Sequence, residues 1–530
     1  MPDDDRAQLA GSERAPASGT RVLAQQIPAG EPVEVTLTLR GRPLPEDPAA
    51  RGQDAVLADF AADPGDADAV RRVLERYGLA VTDVSLPTRS VVARGTAAQL
   101  HELFGVDFVR YQNDEQGEFR GRRGALSVPA ELAGIVTGIF GLDERRVARR
   151  RVADPAAAVQ LRPLTPGDIE QRYSFPAGDA SGQTVAIAEF GGAYFADDTA
   201  AYCHKFGTPV PTVTPISAGY PLLTAADIAA LPASQQQEVL DESVEVMMDV
   251  ELVAGLCPAA DVNVYFAPFT EKGWVDLLDA VMTAATPPVA LSVSWGLAED
   301  STDWSKAAVT EINLRLQAAA QMGITVCVAA GDDGAGDQES DGRAHVNFPA
   351  SSPWVLAVGG TQLTGGQEVV WWEPPGDRAH GGASTGGGVS TVFPRPSWQD
   401  VHVASLNIGA IDGRVVPDVA AIAGEPYYDM IFQGADSPNG GTSAAAPVWA
   451  SLIARVAAGS APGTPQFLTP LLYAPGPGGE PVGTVACTDV TSGDNRSTGV
   501  DPGYAAQPGF DAVTGWGTPK GSALQAQLAG

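Results

Sequence analysis

A serine follows two glycines in the string GGTSAAAPVWASLIARV, which starts at Gly440. The glycines permit a tight turn, and the alanine-rich run after them has helical spacing. Ser443 would therefore stand at a helix N-terminus, where negative charge developing on a reacting atom is favoured. Two roles fit that position: a helix cap, which serine often is, or a nucleophile. A nucleophilic serine needs a base within hydrogen-bond reach. Upstream, EVMMDVELVAGL sets Glu245 and Asp249 four positions apart on a helical segment, hence on one face. Carboxyl groups can serve as general acids and bases. Glu238, Asp241, Glu242 and Glu251 crowd the same segment, so spacing alone does not separate a reactive pair from a solvated acidic face.

The string GTSxxxP resembles the nucleophile motif of subtilisin-like peptidases, whose base is a histidine in an HG segment. Of His101, His204, His345, His380 and His402, only His380 precedes glycine, within HGGASTGGG, which resembles no such motif. A more specific resemblance covers nearly the whole chain. The ExxxDxExxG arrangement with its following AP-containing strand, then SVSWG, AAGDDG, STGGGVS, VPDVAA and GGTSAAAP, occur in the order found in the sedolisins, serine-carboxyl peptidases of the kumamolisin type. The front of the chain, notably GTAAQLHELFG and VPAELAGIVTGIFGLD, resembles that family's propeptide.

The resemblance implies that Ser443 is the nucleophile, Glu245 the general base and Asp249 the group that orients it, a serine triad with carboxyl in place of imidazole. Glutamate titrates near ~4.3 in model peptides, so such a base cycles only in acid. Asp332 of AAGDDG would take the oxyanion-hole position, where it must be protonated to donate a hydrogen bond. Relatives often read GDSG there, and the extra charge of Asp333 would raise the pKa of Asp332. Glu189 and Trp295 match an extended hydrogen-bond network, and Ser294, Trp295 and Gly296 would line the substrate groove as a strand edge. One calcium ion is implied near the C-terminus, on the side chains of Asp489 and Asp511 and the carbonyls of Val490, Gln507 and Gly509. Gln507 stands where relatives carry glycine, which is tolerable if its backbone angle suits a side chain. The rivals to an acid endopeptidase are a neutral histidine-dependent peptidase, a catalytically silent binding protein and an esterase.

The elements that must position these residues follow from patterning. From Val33, VEVTLTLR reads as a strand, DADAVRRVLERYGL as a helix, VTDVSL and SVVARGT as strands and TAAQLHELFG as a helix. These define a small α/β unit over 31–144, after a polar leader, 1–30, read as disordered. RRVARRR and the Pro/Ala-rich stretch after it mark 145–164 as an exposed linker carrying the activation cleavage. Over 165–530 apolar strands such as TVAIAEF, DVNVYFAP, VALSVSWG and ITVCVAAG alternate with helices. That pattern predicts an α/β body, a parallel sheet covered on both faces, with chemistry outside its strand C-termini.

Charge divides at the same boundary. Residues 1–151 hold 20 arginines, no lysine and 23 acidic residues, net −3; the remainder holds 13 basic and 41 acidic residues, net −28. A body this acidic repels nucleic acid and should attract the arginine-rich front less strongly as pH falls. No apolar run approaches the roughly 18 residues of a membrane span. The expected partners are protein or peptide substrates and the chain's own propeptide as inhibitor, with a monomeric enzyme. Cys257 and Cys327 lie in apolar runs and read as buried fillers; Cys203 and Cys487 show no metal spacing. The family implies an extracellular enzyme, although MPDDDRAQLAGSERAP shows no signal peptide.

Overall fold

The computed structural model describes residues 5–147, 161–339, 341–459 and 467–528. Its centre is an eight-stranded sheet. In spatial order it runs Thr212–Ser217, Asp261–Ala267, Thr184–Phe190, Ala290–Val293, Thr325–Ala329 and Leu356–Thr364, all parallel. Val419–Ile422 pairs parallel and Gln367–Val370 antiparallel with the last of these. The inner strands are buried on both faces, which is why they read as unbroken apolar runs.

Two helices carry the chemistry-bearing residues. The carboxylate helix, Ala233–Leu256, packs on the serine helix, Thr442–Ala458. Ala444, Ala445 and Ala446 are fully buried, and their small side chains let the serine helix lie close to the sheet. Trp449 donates from Nε1 to the Ala420 carbonyl at 3.0 Å and fixes the helix on the neighbouring strand. The C-terminal ends of three adjacent strands then point to one place: Glu189 on the first, Ser294 to Gly296 after the second, Asp332 after the third.

The front unit has its own core, including Val35, Leu37, Val70, Leu74, Leu100 and Phe104. An antiparallel sheet of Ala80–Ser85, Ser90–Thr96, Pro32–Leu39 and Val136–Phe140 carries the helices Pro64–Arg76 and Ala97–Phe104. Thr96 and Gln99 form a reciprocal cap at the start of the second helix, and Gly105 in left-handed conformation ends it.

Two expectations are corrected. The leader is not disordered where it is described: Arg6–Gln8 pairs with Ser127–Pro129, and Leu9, Arg14 and Ala17 are buried. Composition gave the wrong answer because the leader is stabilised by long-range polar partners. Arg14 meets Glu271 at 2.9 Å, and its backbone exchanges hydrogen bonds with Gly124. Nor is the start of the linker exposed. Arg145 is buried between Asp143 (3.0 Å) and Asp303 (3.2 Å), and Val147 is fully buried. The expected cleavage segment lies mostly outside the described residues.

The front unit docks on the acidic body through charge. Besides the Arg14–Glu271 and Arg145–Asp303 pairs, Arg146 reaches Glu242 at 3.2 Å and Lys272 reaches Glu34 at 3.0 Å. Thr36 donates to Asp276 at 2.9 Å, and the buried Arg315 donates to the Thr88 carbonyl at 3.1 Å.

Candidate active site

Gly440 and Gly441 make the turn before the serine helix, and both are required. A Cβ on Gly440 would stand 2.2 Å from the Ala423 carbonyl, while Gly441 has φ +97°, which side chains avoid. Thr442 is the first helical residue and Ser443 the second. Ser443 is fully buried, its Oγ a long 3.5 Å from the Ser294 carbonyl.

Glu245 and Asp249 lie fully buried on the face of the carboxylate helix turned toward the sheet end. Ser294 Oγ donates to Asp249 Oδ2 at 2.6 Å and is 3.3 Å from the Ser443 carbonyl, so it links the two helices. Trp295 donates from Nε1 to Glu189 Oε2 at 3.1 Å. Burial, with the charge of Glu245 beside them, pushes Glu189 and Asp249 well above the ordinary carboxylate range. Three carboxyls packed this tightly cannot all ionise, and they titrate as one group. In acid, Glu189 and Asp249 therefore hold protons. The acidic segment is in part interior: Glu251 is also buried, accepts from Ile431 N at 2.8 Å and is pushed up to about 9 by burial.

Asp332 is fully buried. Its Oδ1 accepts from Thr442 N (3.0 Å) and Thr442 Oγ1 (2.6 Å), while Oδ2 has no hydrogen-bond partner among the described residues. Burial pushes it up to about 6 against the opposing charge of Arg378. Asp333 raises it by less than Arg378 lowers it, and Arg378 also grips Asp333 directly: Nη2–Oδ2 is 2.5 Å and Nε–Oδ1 3.2 Å. Burial would raise Asp333 too, but Arg378 holds it below the usual range.

None of the five histidines hydrogen-bonds Ser443 among the described residues. His380 bonds Asp377 at 2.5 Å, His345 lies between Asp300 and Asp341, and His101 belongs to the front unit. Three contributors escaped the sequence reading: Thr442 as the holder of Asp332, the Ser294 side chain as a link, and Arg378. Adjacency to Ser443 was the available signal for Thr442; nothing local marks Arg378.

Near the C-terminus, Asp489 accepts from Gly509 N at 2.8 Å, and Asp511 accepts from Gln507 N at 3.1 Å and Thr514 N at 2.8 Å. The two carboxylates thus gather one loop. Asp511 is buried and pushed up to about 6 by burial, against the hydrogen bonds from Thr514, Gln507 and Val513. Gln507 is not among the residues of positive φ, so the side chain at that position costs nothing; Gly509 has φ +85°. No cluster of three or more His, Cys, Asp or Glu suited to a metal occurs among the described residues, so a cation here would rest on two carboxylates and carbonyls. All four cysteines are free and buried, and no described helix is long and apolar enough to cross a membrane.

The subtilase family model matches residues 223–472, and the model for the pro-kumamolisin activation domain matches residues 52–145. Parallel sheet, serine helix and activation unit together make the chain a subtilisin-like serine peptidase precursor. It is 36% identical to kumamolisin of Bacillus sp. (strain MN-32), across 98% of this chain and 92% of that one. Human tripeptidyl-peptidase 1 is 30% identical across 68% of this chain and 63% of its own. Among solved structures, Pseudomonas sedolisin (serine-carboxyl proteinase), complexed with two molecules of pseudo-iodotyrostatin, shares the fold. The TM-score is 0.57 at 24% identity, over 69% of this chain and 98% of that one. The chain belongs to the sedolisin family, in its kumamolisin-like branch with an N-terminal activation propeptide.

Proposed function

We propose that the mature protein is an acid-acting serine-carboxyl endopeptidase and that the precursor processes itself when pH falls. Ser443 Oγ attacks the scissile carbonyl while Glu245 takes its proton. The tetrahedral oxyanion accepts a hydrogen bond from protonated Asp332. Glu245 then gives the proton to the leaving amine, leaving an acyl-enzyme on Ser443, and water returns by the same route in reverse. Asp249, held by Ser294, orients Glu245, and Glu189 with Trp295 extends the network. Substrate backbone would lie along Ser294, Trp295 and Gly296.

The observation that supports this most is the pairing of Asp332 with the nucleophile's own turn: one oxygen is fixed by Thr442, the other is buried and unbonded. A carboxyl held that way is stable when protonated and then has a hydrogen to donate. Incubating purified precursor from about pH 3 to about pH 7, beside Ser443→Ala and Glu245→Ala, tests the reading. Wild type should shorten only in acid and neither variant should shorten alone; normal processing by Glu245→Ala would remove the carboxyl base from the mechanism.

Asp489, Asp511 and the carbonyls of Val490, Gln507 and Gly509 would hold one calcium ion, whose part is to neutralise the buried Asp511 and pin the loop. Chelator should then lower the melting temperature of the mature enzyme but not that of Asp511→Ala; equal responses would discard the site. Action outside the cell is the setting in which such an enzyme would work.

A further inference from the structure

The pair Asp333–Arg378 is not needed for the chemistry above, yet it sits against the oxyanion position. Arg378 lies in the loop after Pro374–Pro375, and its guanidinium contacts both aspartates: Nη2 is 2.5 Å from Asp333 Oδ2, and Nη1 is 4.0 Å from the unbonded Oδ2 of Asp332. Its backbone N–H also donates to Asp333 Oδ1 at 2.8 Å, so loop and side chain are fixed together. Gly296, Leu297, Gly331, Asp332, Asp333, Asp337, Asn347 and Arg378 surround a cavity of only about 10 Å3. That is scarcely room for one water, so the charges there act on one another with little screening.

We propose that Arg378 is a positioning residue of the oxyanion site, whose cation offsets Asp333 and so sets how tightly Asp332 holds the proton that fixes the upper pH limit of the reaction. The inference rests on the acid-peptidase reading above. The groups facing Asp332 from each packed element are few. Arg378 comes from the 374–382 loop and Asp333 from the loop of Asp332 itself, while Asp337 lines the same cavity and acts on Arg378. Thr442 and the Ser384 backbone N–H come from the serine helix and the strand Ala383–Ser384. Asp377 and His380 bond each other further along the Arg378 loop. Asp332 therefore feels one cation and one close anion, and these oppose each other. Without the arginine, Asp333 would stand as a bare charge beside the carboxyl that must carry a proton, and the proton would be held too tightly. Without Asp333, the full cation would act on Asp332 and expel the proton at lower pH.

The test is the pH profile of kcat/KM for the mature enzyme on a peptide substrate, for wild type, Arg378→Gln, Arg378→Lys, Asp333→Asn and the Asp333→Asn/Arg378→Gln double variant. An opposite charge at this separation moves a carboxyl by about one pH unit or more. Arg378→Gln should move the alkaline limb up by about one pH unit and Asp333→Asn should move it down. The double variant should return it toward wild type, Arg378→Lys should leave it in place, and the acid limb should stay fixed throughout. If both single variants move the limb the same way, or if only KM changes, Arg378 does not act through Asp332. Should Arg378→Gln fail to fold, the downward shift in Asp333→Asn decides alone. A wild-type profile without an acid optimum would instead overturn the functional reading itself.

Discussion

Asp249, Glu189 and Asp332 at the candidate active site and Asp143 at the seam between propeptide and body are all buried, yet their pKa values move in opposite directions. At the centre, burial and neighbouring carboxyls push the acids up, to about 6 for Asp332. At the seam, burial is overcome: Arg14 and Arg145 hold Asp143 below its ordinary value, and Arg14 pairs Glu271 at 2.9 Å. Burial raises all of these acids, and only where the cations outweigh it, as Arg14 and Arg145 do at Asp143, does a carboxyl fall below its ordinary value; Asp276 and Asp279 stay raised although Lys272 and Arg315 pair them. The Asp332–Asp333 pair repeats the contrast between adjacent residues, with Arg378 gripping one and standing off the other.

Removing a proton-holding carboxyl should have the largest effect. Asp332→Ala should lower kcat by about 10²–10³-fold, the usual loss for one oxyanion donor. Asp332→Asn, which donates without needing a proton, should keep more activity and lose the alkaline limb; an unchanged limb would separate Asp332 from the pH response. At the seam the effect should fall on the precursor alone. Arg14→Ala leaves Glu271 and Asp143 buried without their shared partner, a loss of about 3–5 kcal/mol in precursor stability by denaturant titration, with the mature enzyme unaffected. Glu34→Gln should cost about 1 kcal/mol or less, because the Lys272–Glu34 pair is partly exposed. Burial opposes, but Arg94 and Lys272 hold Glu34 below its usual value, so its contribution is present above about 4.5 and lost as pH falls through the lower folded value. Equal precursor losses for the two seam variants would undo the contrast between buried and exposed pairs.

The sheet was legible because its inner strands are buried on both faces, so that ITVCVAAG and TVAIAEF announce themselves as apolar runs. Ser443 was marked locally by the Gly-Gly turn before its helix, whereas Asp332 was singled out by the family resemblance and not by any local pattern. What the sequence concealed is long-range and polar. Arg14 finds Glu271, Arg145 finds Asp303, and Arg378 finds Asp333 across long separations, and no periodicity encodes such meetings. The leader looked disordered because composition counts a segment's own apolar residues and not the carboxylates waiting for it elsewhere. The burial of Glu242 and Glu251 was hidden likewise, since a helix packed on every side loses the amphipathic pattern that tells inside from outside.

The most direct measurement is the pH dependence of kcat/KM for the mature wild-type enzyme on a peptide substrate. A carboxyl base with a protonated oxyanion donor requires a bell confined to acid. Its alkaline limb should fall as pH rises through about 6, where Asp332 loses its proton, and its acid limb should fall where the Glu189–Glu245–Asp249 cluster gives up its last negative charge. A plateau reaching neutral pH, as an imidazole base would give, would contradict the carboxyl mechanism.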